Sequence, residues 1–297
     1  FDGNAGVISG MEALRLIKES GKQNKRDIEV IIYTSEEPTR FGLGCLGSRT
    51  MAGELTAEEM KTIVDKDGMS LAQVLESLGK NLEEIKDVKR KSGDVHAAVE
   101  LHVEQGAVLD TRGIEIGVVT TISAPTDIRV SVFGTQEHAG ATPMDMRKDA
   151  MSAAAEIMLG LEGLARNSKD YSTVATVGKV EVLPGSTNVI PGQVNFSIDI
   201  RSADMEDKEM LISKLKAIVS CVENVRNVKV NLEIVTHDAP ADADPHVIET
   251  IRGICDEDVV NYNMMVSGAY HDSMFVSKFA PFGMIFVPSK NGISHHI

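Results

Sequence analysis

The stretch DIEVIIYTSEEPTR, residues 27–40, joins an apolar run to two adjacent carboxylates. The apolar run predicts a buried strand over residues 28–35. Glu36 and Glu37 follow that strand directly. Because ligands collect beyond the carboxyl ends of the strands in open α/β sheets, the pair is a candidate for catalysis. Two solvated surface acids are the plainer interpretation, since Asp and Glu are mostly exposed in proteins.

Composition and charge exclude several classes of function. The chain has 297 residues, of which 42% are hydrophobic and 25% charged, with a formal net charge of −14. This length allows one large domain or two ordinary ones. The acidic excess argues against a nucleic-acid partner, because phosphate binding needs clustered Lys and Arg. No apolar run approaches the ~20 residues that a bilayer-spanning helix needs, so we expect no membrane insertion of this segment.

The three cysteines, Cys45, Cys221 and Cys255, are far apart and show no CxxC spacing. They indicate neither a disulfide framework nor a thiolate zinc site. This usage fits a reducing compartment, and we expect a cytoplasmic location. The chain starts at Phe1, and its second residue already belongs to a motif. We therefore expect a segment of a longer protein, with any targeting sequence outside it.

The order of the predicted elements divides the chain in two. Residues 97–103 predict a second buried strand, with His102 near its end. Residues 118–236 run strand, helix, two strands, helix and strand, which is the ferredoxin-like order β-α-β-β-α-β. Residues 237–297 return to α/β alternation. The sequence thus predicts an α/β protein whose first domain, residues 1–117 and 237–297, carries an inserted domain at 118–236.

Four scattered residues have side chains that bind metals. Asp2, Glu37, His102 and His295 each lie at the edge of a predicted element. Without local spacing such as HExxH, four such residues are a weak metal signature. His102 alone would more often be a hydrogen-bonded structural histidine, since His is intermediate in burial.

Seven motifs stand in order along the chain: FDGNAGV, TSEEPTRFG, LHVEQG, GTQEHAGATPM, STNVIPG, AYHDS and GISH. Together they resemble the hydantoinase/carbamoylase group of dinuclear metal amidohydrolases. That group includes N-carbamoyl-L-amino acid hydrolases, allantoate amidohydrolases and ureidoglycolate amidohydrolases. The resemblance implies a metallopeptidase-like catalytic domain and an inserted ferredoxin-like dimerisation domain.

The resemblance implies a site for two divalent cations. Asp2 would bridge them, with Glu37 and His295 on one cation and His102 on the other. His296 follows His295, and the GISH spacing favours His295 as the ligand. Family members take one more histidine from an upstream His-x-Asp segment, so we expect the chain as given to be nearly inactive. Oxygen and imidazole ligands without thiolate suit Mn²⁺ or Zn²⁺, with Co²⁺ or Ni²⁺ as alternatives.

The resemblance also assigns the catalytic and substrate-binding roles. Glu36 would accept a proton from the attacking water, and His138 would stabilise the oxyanion. Arg201 is among the expected substrate-binding residues. Without the resemblance, it can be a surface residue that pairs with Asp199 or Asp204, a contact worth ~0–1 kcal/mol. The family's inserted domain dimerises, so we expect a homodimer with site residues contributed in trans. The expected substrate-binding residues are Gln105, His138, Asn188, Arg201, Tyr270 and His271.

These assignments imply a hydrolase that cleaves the carbamoyl C–N bond of a small carboxylate and releases ammonia. Tyr270 in AYHDS, with SEEPTRFG, resembles ureidoglycolate enzymes, whereas HAGATPM and GISH resemble the N-carbamoyl amino acid and allantoate members. All three substrates therefore stay open. A peptidase or N-acyl amino acid deacylase of the same architecture is the alternative, although such relatives usually place a carboxylate where His102 stands. A non-catalytic dimerisation module is a third reading, and the presence of Glu36 argues against it.

Overall fold

The computed structural model describes residues 2–294. It divides into two compact units, one of Phe1–Ile122 with Ala241–Ile297 and one of Ser123–Pro240. We call them the outer unit and the inserted unit. Their limits lie a few residues beyond the domain limits expected from the sequence.

Helices and strands alternate through much of the described chain. The helices are α1 Asn4–Glu19, α2 Leu46–Ala52, α3 Ala57–Thr62, α4 Leu71–Ser77, α5 Val108–Arg112, α6 Ala150–Arg166, α7 Met205–Arg226, α8 Pro245–Glu257 and α9 Ser273–Val276. The strands are β1 Ala98–Val103, β2 Ile116–Ile122, β3 Ala124–Phe133, β4 Glu137–His138, β5 Val174–Leu183, β6 Val189–Ile190, β7 Gln193–Ser202, β8 Lys229–His237, β9 Ala241–Asp242, β10 Tyr262–Ser267 and β11 Phe282–Val287. Short 3₁₀ turns cover Leu82–Val88, Met144–Met146 and Lys290–Gly292.

The inserted unit is a four-stranded antiparallel sheet with α6 and α7 packed against it. The strand order is β5-β7-β3-β8, which is the ferredoxin-like arrangement expected from the sequence. Burial alternates along β7, so one face of the sheet is apolar and buried. Ile198 and Ile200 on that face join Ile157 of α6 and Leu215 of α7 in one core.

The outer unit is built on a mixed sheet in the order β1-β11-β2-β10, and β9 also pairs with β2. β1 is parallel to β11, β10 is parallel to β2, and β11 is antiparallel to β2. α8 packs Val247 and Ile251 against Val118 of β2. The sequence predicts β1 closely, at residues 97–103 against Ala98–Val103, and α8, β10, α9 and β11 agree with the α/β alternation expected over residues 237–297. β2 is not among the predicted elements.

Several helices of the outer unit have well-formed caps. Thr56 and Ser70 each form a capping box, in which the cap side chain accepts from the backbone N–H of the third helical residue. The backbone N–H of the cap in turn donates to the side chain of that residue, Glu59 or Gln73. α1 ends at Glu19, and Gly21 follows in the left-handed conformation at φ 68°. Glycine suits that position because it has no Cβ to clash.

The strand predicted over residues 28–35 is wrong. Within residues 2–294, the main chain between Asp27 and Tyr33 forms no backbone hydrogen bond. The side chain of Ile32 is 70% exposed. A strand needs a neighbouring ladder as well as apolar residues, and β1 pairs with β11 alone among the described strands. The segment instead has no regular secondary structure and lines a cavity.

Candidate active site

Helix α1 approaches β1 closely, and this approach places Asp2 beside His102. A Cβ on Gly6 would lie 2.4 Å from the carbonyl oxygen of Leu101, so only glycine fits this contact. Asp2 lies immediately before α1, and its Oδ1 is 3.3 Å from His102 Nε2. Gln105, just beyond β1, donates from Nε2 to Asp2 Oδ2 at 2.9 Å. Residues from two distant segments therefore meet at the carboxyl end of β1.

His102 is buried and held in one orientation. Its Nδ1 lies 2.9 Å from the carbonyl oxygen of Val103. Because a carbonyl only accepts, Nδ1 carries the hydrogen, and in the neutral ring the lone pair of Nε2 points towards Asp2. Two acceptors 3.3 Å apart repel each other unless a proton or a cation lies between them. Ligands of a tetrahedral cation, bound at about 2.0–2.2 Å, are separated by roughly this distance, so the pair fits a divalent metal.

Glu36 lies in a concentration of negative charge. Burial is the largest cause that raises its pKa to about 8, and the charges of Asp272, Glu37, Glu100 and Asp2 add to the effect. A carboxyl group with this pKa can exchange protons near neutral pH.

Glu37 lines the same cavity of about 1690 Å³ as Glu36, Asp2, His102 and Gln105. The structure thus brings five of the expected site residues together in the outer unit. His295, the remaining expected metal ligand, lies outside the described residues.

A second group that could hold a cation adjoins His102. Ligand atoms of Glu100, His102 and His271 all lie within 4.8 Å of one another. Glu100 and His102 are two residues apart on β1 and so share one face of the strand. The rings of His102 and His271 meet edge to face at 4.5 Å between centroids. Sequence reasoning missed Glu100, although its spacing from His102 was an available signal.

The side chains around His271 are fixed by further contacts. Ser273 donates from Oγ to Glu100 at 2.5 Å, and Ser48 donates from Oγ to Asp272 at 2.5 Å. Burial raises the pKa of Asp272 to about 6, against the hydrogen bond from Ser48, which lowers it. No sequence signal marks Ser48, which lies 224 positions from its partner.

Tyr270 lies against an arginine. Arg49 donates a hydrogen bond to the Tyr270 hydroxyl, and its guanidinium carbon lies 4.2 Å from the ring centroid of Phe275. Arg49 therefore holds Tyr270 through the hydrogen bond, while its cation–π contact with Phe275 fixes the guanidinium in place. Arg49 is a second residue that the sequence did not single out.

Backbone strain accompanies two residues of the site. Ser35, just before Glu36, has φ 53°, and Gln105 has φ 58°. Residues other than glycine rarely adopt a positive φ, and such backbone conformations persist when the surrounding structure determines them. Here the strained turns direct Glu36 and the Gln105 amide towards the cavity that Asp2 also lines.

The inserted unit carries the other expected residues. His138 of β4 lies opposite Val189 of β6, and the N–H of Ala139 donates to the carbonyl of Asn188 at 2.9 Å. His138 and Asn188 are thereby neighbours. The exposed His138 ring accepts from the N–H of Gly140 at 3.1 Å.

Arg201 in β7 pairs with Asp199. The shortest contact runs from Arg201 Nη2 to Asp199 Oδ2 at 2.9 Å. This is one of the two pairings considered for a surface role. In the described part of the chain, no helix is long and apolar enough to cross a bilayer.

Comparison with known proteins finds relatives that are named as hydrolases or amidohydrolases. Ureidoglycolate hydrolase from Oryza sativa subsp. japonica is 42% identical over 99% of this chain and 62% of its own length. N-carbamoyl-L-amino-acid amidohydrolase from Paenarthrobacter aurescens is 37% identical over 99% of this chain and 71% of its own. The crystal structure of AtUAH in complex with glyoxylate matches with a TM-score of 0.84 at 40% identity, covering 99% of this chain and 71% of that one. The chain therefore spans less than two thirds of the rice relative.

A family model matches the chain from end to end. It covers residues 1–297 and is described as Peptidase family M20/M25/M40, whose members are metal-dependent. The paired acceptors of Asp2 and His102 and the cluster of Glu100, His102 and His271 agree with that chemistry. Family model, relatives and site geometry lead to one conclusion: this chain belongs to the M20/M25/M40 peptidase family and resembles its carbamoyl-cleaving amidohydrolases.

Proposed function

We propose that the full-length protein hydrolyses a ureido C–N bond of a small carboxylate and releases ammonia. Ureidoglycolate is the first candidate substrate, because the rice ureidoglycolate hydrolase is 42% identical to this chain. N-carbamoyl-L-amino acids and allantoate are the next candidates. The observation that carries the proposal is the meeting of Asp2, Glu36 and His102 at one cavity of the outer unit.

We propose that two divalent cations, Mn²⁺ or Zn²⁺, bind at this cavity. Asp2, Glu37 and His102 would hold them together with His295, and the lone pair of His102 that faces Asp2 supports this set. When bound, a pair of such ions lowers the pKa of water to about 7 and polarises the substrate carbonyl. The negative charge that surrounds Glu36 is a further reason for cations here.

Glu36 is proposed as the general base. Its carboxylate takes a proton from the attacking water and later donates it to the departing nitrogen, so that ammonia leaves as a neutral molecule. A base is most effective when its pKa lies near the working pH, and the pKa of Glu36 is raised to about 8. Its place beside Glu37, itself a proposed ligand, keeps it close to the reacting water.

The inserted unit is proposed to bind substrate and to dimerise. His138 would stabilise the oxyanion, while Asn188 and Arg201 would hold the substrate carboxylate. Arg201 can grip a carboxylate with two parallel hydrogen bonds, which its planar guanidinium is shaped to donate. Gln105, Tyr270 and His271 are proposed to line the pocket of the outer unit.

The test is ammonia release by the full-length protein loaded with Mn²⁺ or Zn²⁺. Ureidoglycolate, allantoate and N-carbamoyl amino acids are compared side by side, with N-acetyl amino acids as the deacylase substrate. Glu36→Gln is expected to abolish turnover and to leave metal content unchanged, whereas the exposed Glu54→Gln changes neither. Turnover of N-acetyl substrates alone would replace the proposal with a deacylase. Full activity of Glu36→Gln would remove Glu36 as the base.

A further inference from the structure

His138 lies in the loop that connects β3 to α6 in the inserted unit. We call this loop, residues 134–149, the histidine loop. Its two ends are joined, because the N–H of Thr135 donates to the carbonyl of Lys148 at 2.8 Å. The pairing of β4 with β6 places His138 opposite Val189. A compact loop with joined ends can be organised by its own side chains.

Arg147 binds the main chain of the histidine loop next to His138. Its Nη2 donates to the carbonyl oxygens of Ala139 at 2.5 Å and Thr142 at 3.0 Å, and its Nε donates to that of Thr142 at 3.1 Å. The N–H groups of Ala141 and Thr142 both donate to the carbonyl of His138, which forms a tight turn. One planar guanidinium therefore bridges two carbonyls of the turn that follows the histidine.

The same turn determines where the hydrogen lies on the His138 ring. The N–H of Gly140 donates to Nδ1 at 3.1 Å, so Nδ1 carries a lone pair. A neutral imidazole has one N–H, and here it is on Nε2. Within residues 2–294, Nε2 has no hydrogen-bond partner, and His138 is exposed. The ring therefore presents a free donor and no free acceptor.

This arrangement suits one of the two roles that a histidine can take in hydrolysis. A base needs a ring nitrogen with an available lone pair, and that of Nδ1 is engaged by the backbone of Gly140. An oxyanion needs a donor that is already in place when negative charge develops. The Nε2–H of His138 is such a donor, because the backbone fixes the opposite nitrogen of the ring.

We propose that Arg147 is a positioning residue for the proposed hydrolysis and acts through His138. Its bridge between the carbonyls of Ala139 and Thr142 holds the turn. Within that turn the N–H of Gly140 keeps the ring in its Nε2–H form, ready to donate to the oxyanion. Lysine cannot replace the bridge, because an ammonium lacks the planar fork of a guanidinium. This inference rests on the proposed function, since the oxyanion arises in that reaction.

The nitrogen resonances of His138 test the structural part of the proposal without substrate. The full-length protein carries isotope-labelled histidine and Zn²⁺, and the signal that is lost in His138→Gln gives the assignment. At about pH 8, above the ordinary imidazole pKa of about 6.5, Nδ1 is expected to be unprotonated and Nε2 protonated. In Arg147→Ala the two signals should move towards each other, because a released ring exchanges between its two neutral forms. A protonated Nδ1 in the unmodified protein, or unmoved signals in Arg147→Ala, would overturn the proposal.

Kinetics of ammonia release test the catalytic part. Arg147→Ala is expected to lower kcat by about 10–100-fold, less than the roughly 10²–10³-fold that loss of an oxyanion donor costs. KM should change by less than about threefold, because the contact with the oxyanion is made only in the transition state. Arg166→Ala is the matched control and should change neither constant, since Arg166 pairs with Glu162 on the surface of the same unit. An unchanged kcat in Arg147→Ala would contradict the proposal.

Arg147→Lys separates the bridge from the charge. It keeps the cation but loses the fork, so kcat is expected to stay below that of the unmodified protein. Full activity of Arg147→Lys would assign the effect to charge alone and overturn the proposal. If Arg147→Ala does not fold, Arg147→Lys and the spectrum of the unmodified protein decide. Spectra that respond to Arg147→Ala in a protein that releases no ammonia from any ureido substrate would remove the proposed function while retaining the contact between Arg147 and the turn.

Discussion

Gln105 shows how one residue joins backbone conformation to the chemistry of the site. It holds a left-handed conformation that a residue with a Cβ rarely adopts, and its amide donates to Asp2 at 2.9 Å. That hydrogen bond fixes one oxygen of Asp2 and leaves the other facing His102. Contacts of this kind orient metal ligands and tune their affinity.

Replacement of Gln105 is therefore expected to weaken cation binding. Gln105→Ala removes the amide and should lower the affinity for Mn²⁺ or Zn²⁺ by about 10–100-fold, as measured by titration calorimetry on the full-length protein. The exposed Gln23→Ala serves as control and should not change the affinity. Equal affinities for the two variants would show that the Asp2 contact does not organise the site.

The motifs predict which residues form the site, but they do not predict the contacts between those residues. Asp2 and His102 are 100 positions apart, and only the fold brings them together at 3.3 Å. Ser48 and Arg49 support the site through partners distant in sequence, so periodicity and spacing carried little sign of them. His295 lies outside the described residues, and its role stays a prediction.

Elements with a regular apolar period were predicted well. The helices α6 and α7 and the strand β7 form in the order that the sequence predicts, because their buried faces pack within a single continuous core. The segment 28–35 has an equally apolar sequence but lacks a paired neighbour among the described strands. Apolar content indicates that a segment can be buried, while strand formation also depends on what lies beside it.

The core between α7 and the sheet of the inserted unit should be sensitive to truncation. Leu215 is fully buried there, and Leu215→Ala is expected to destabilise the unit by about 2–5 kcal/mol, since a cavity remains. Hydrogen exchange of the β7 backbone amides measures the stability of the inserted unit separately from that of the outer unit. Val225→Ala on the same helix is the control, because Val225 is 76% exposed and its loss should be nearly neutral.

The first turn of α7 should make the inserted unit sensitive to acid. Burial alone would raise the pKa of Asp207, but hydrogen bonds from Ser168 and Thr173 outweigh it and hold the pKa below its ordinary value. A depressed folded-state pKa adds stability above the unfolded pKa of about 3.9, and that stability is lost as pH falls through the folded pKa. Asp207→Asn should therefore be less stable than the unmodified protein at pH 6, with the difference shrinking below about pH 4.

Urea unfolding at several pH values, monitored by hydrogen exchange of the β7 backbone amides, measures this difference in stability. The exposed Asp145→Asn, also in the inserted unit, should show no comparable dependence on pH. A difference between Asp207→Asn and the unmodified protein that stayed constant from pH 6 to pH 3 would show that the carboxylate charge is not responsible.

At the scale of the whole molecule, the order of elements was sufficient to predict an α/β chain with a ferredoxin-like insertion. Matches to the solved structures agree with that fold class. The proposed homodimer rests on the family resemblance, because the order of elements in one chain does not specify which surface meets a second copy.

Hybrid dimers test whether residues act in trans. Glu36→Gln and Arg201→Ala are each expected to inactivate the full-length protein. If Arg201 of one subunit serves the Glu36 of the other, a mixed dimer contains one unaltered site, and random mixing should restore about a quarter of full activity. Ammonia release from a co-expressed pair with different tags measures the recovery. No recovery in verified mixed dimers would place both residues in one chain's site.

The contact between Gly6 and Leu101 has a consequence for how the family diverges. A single methyl group at position 6 would have to retreat by about 1 Å, the difference between 2.4 Å and an ordinary contact of 3.4 Å. The first turn of the helix would retreat with it and draw the adjoining acid away from the imidazole. Homologous genes that encode alanine or a larger residue here are thus expected to yield proteins that fold normally yet no longer consume their substrate, and inspection of this one codon would distinguish them.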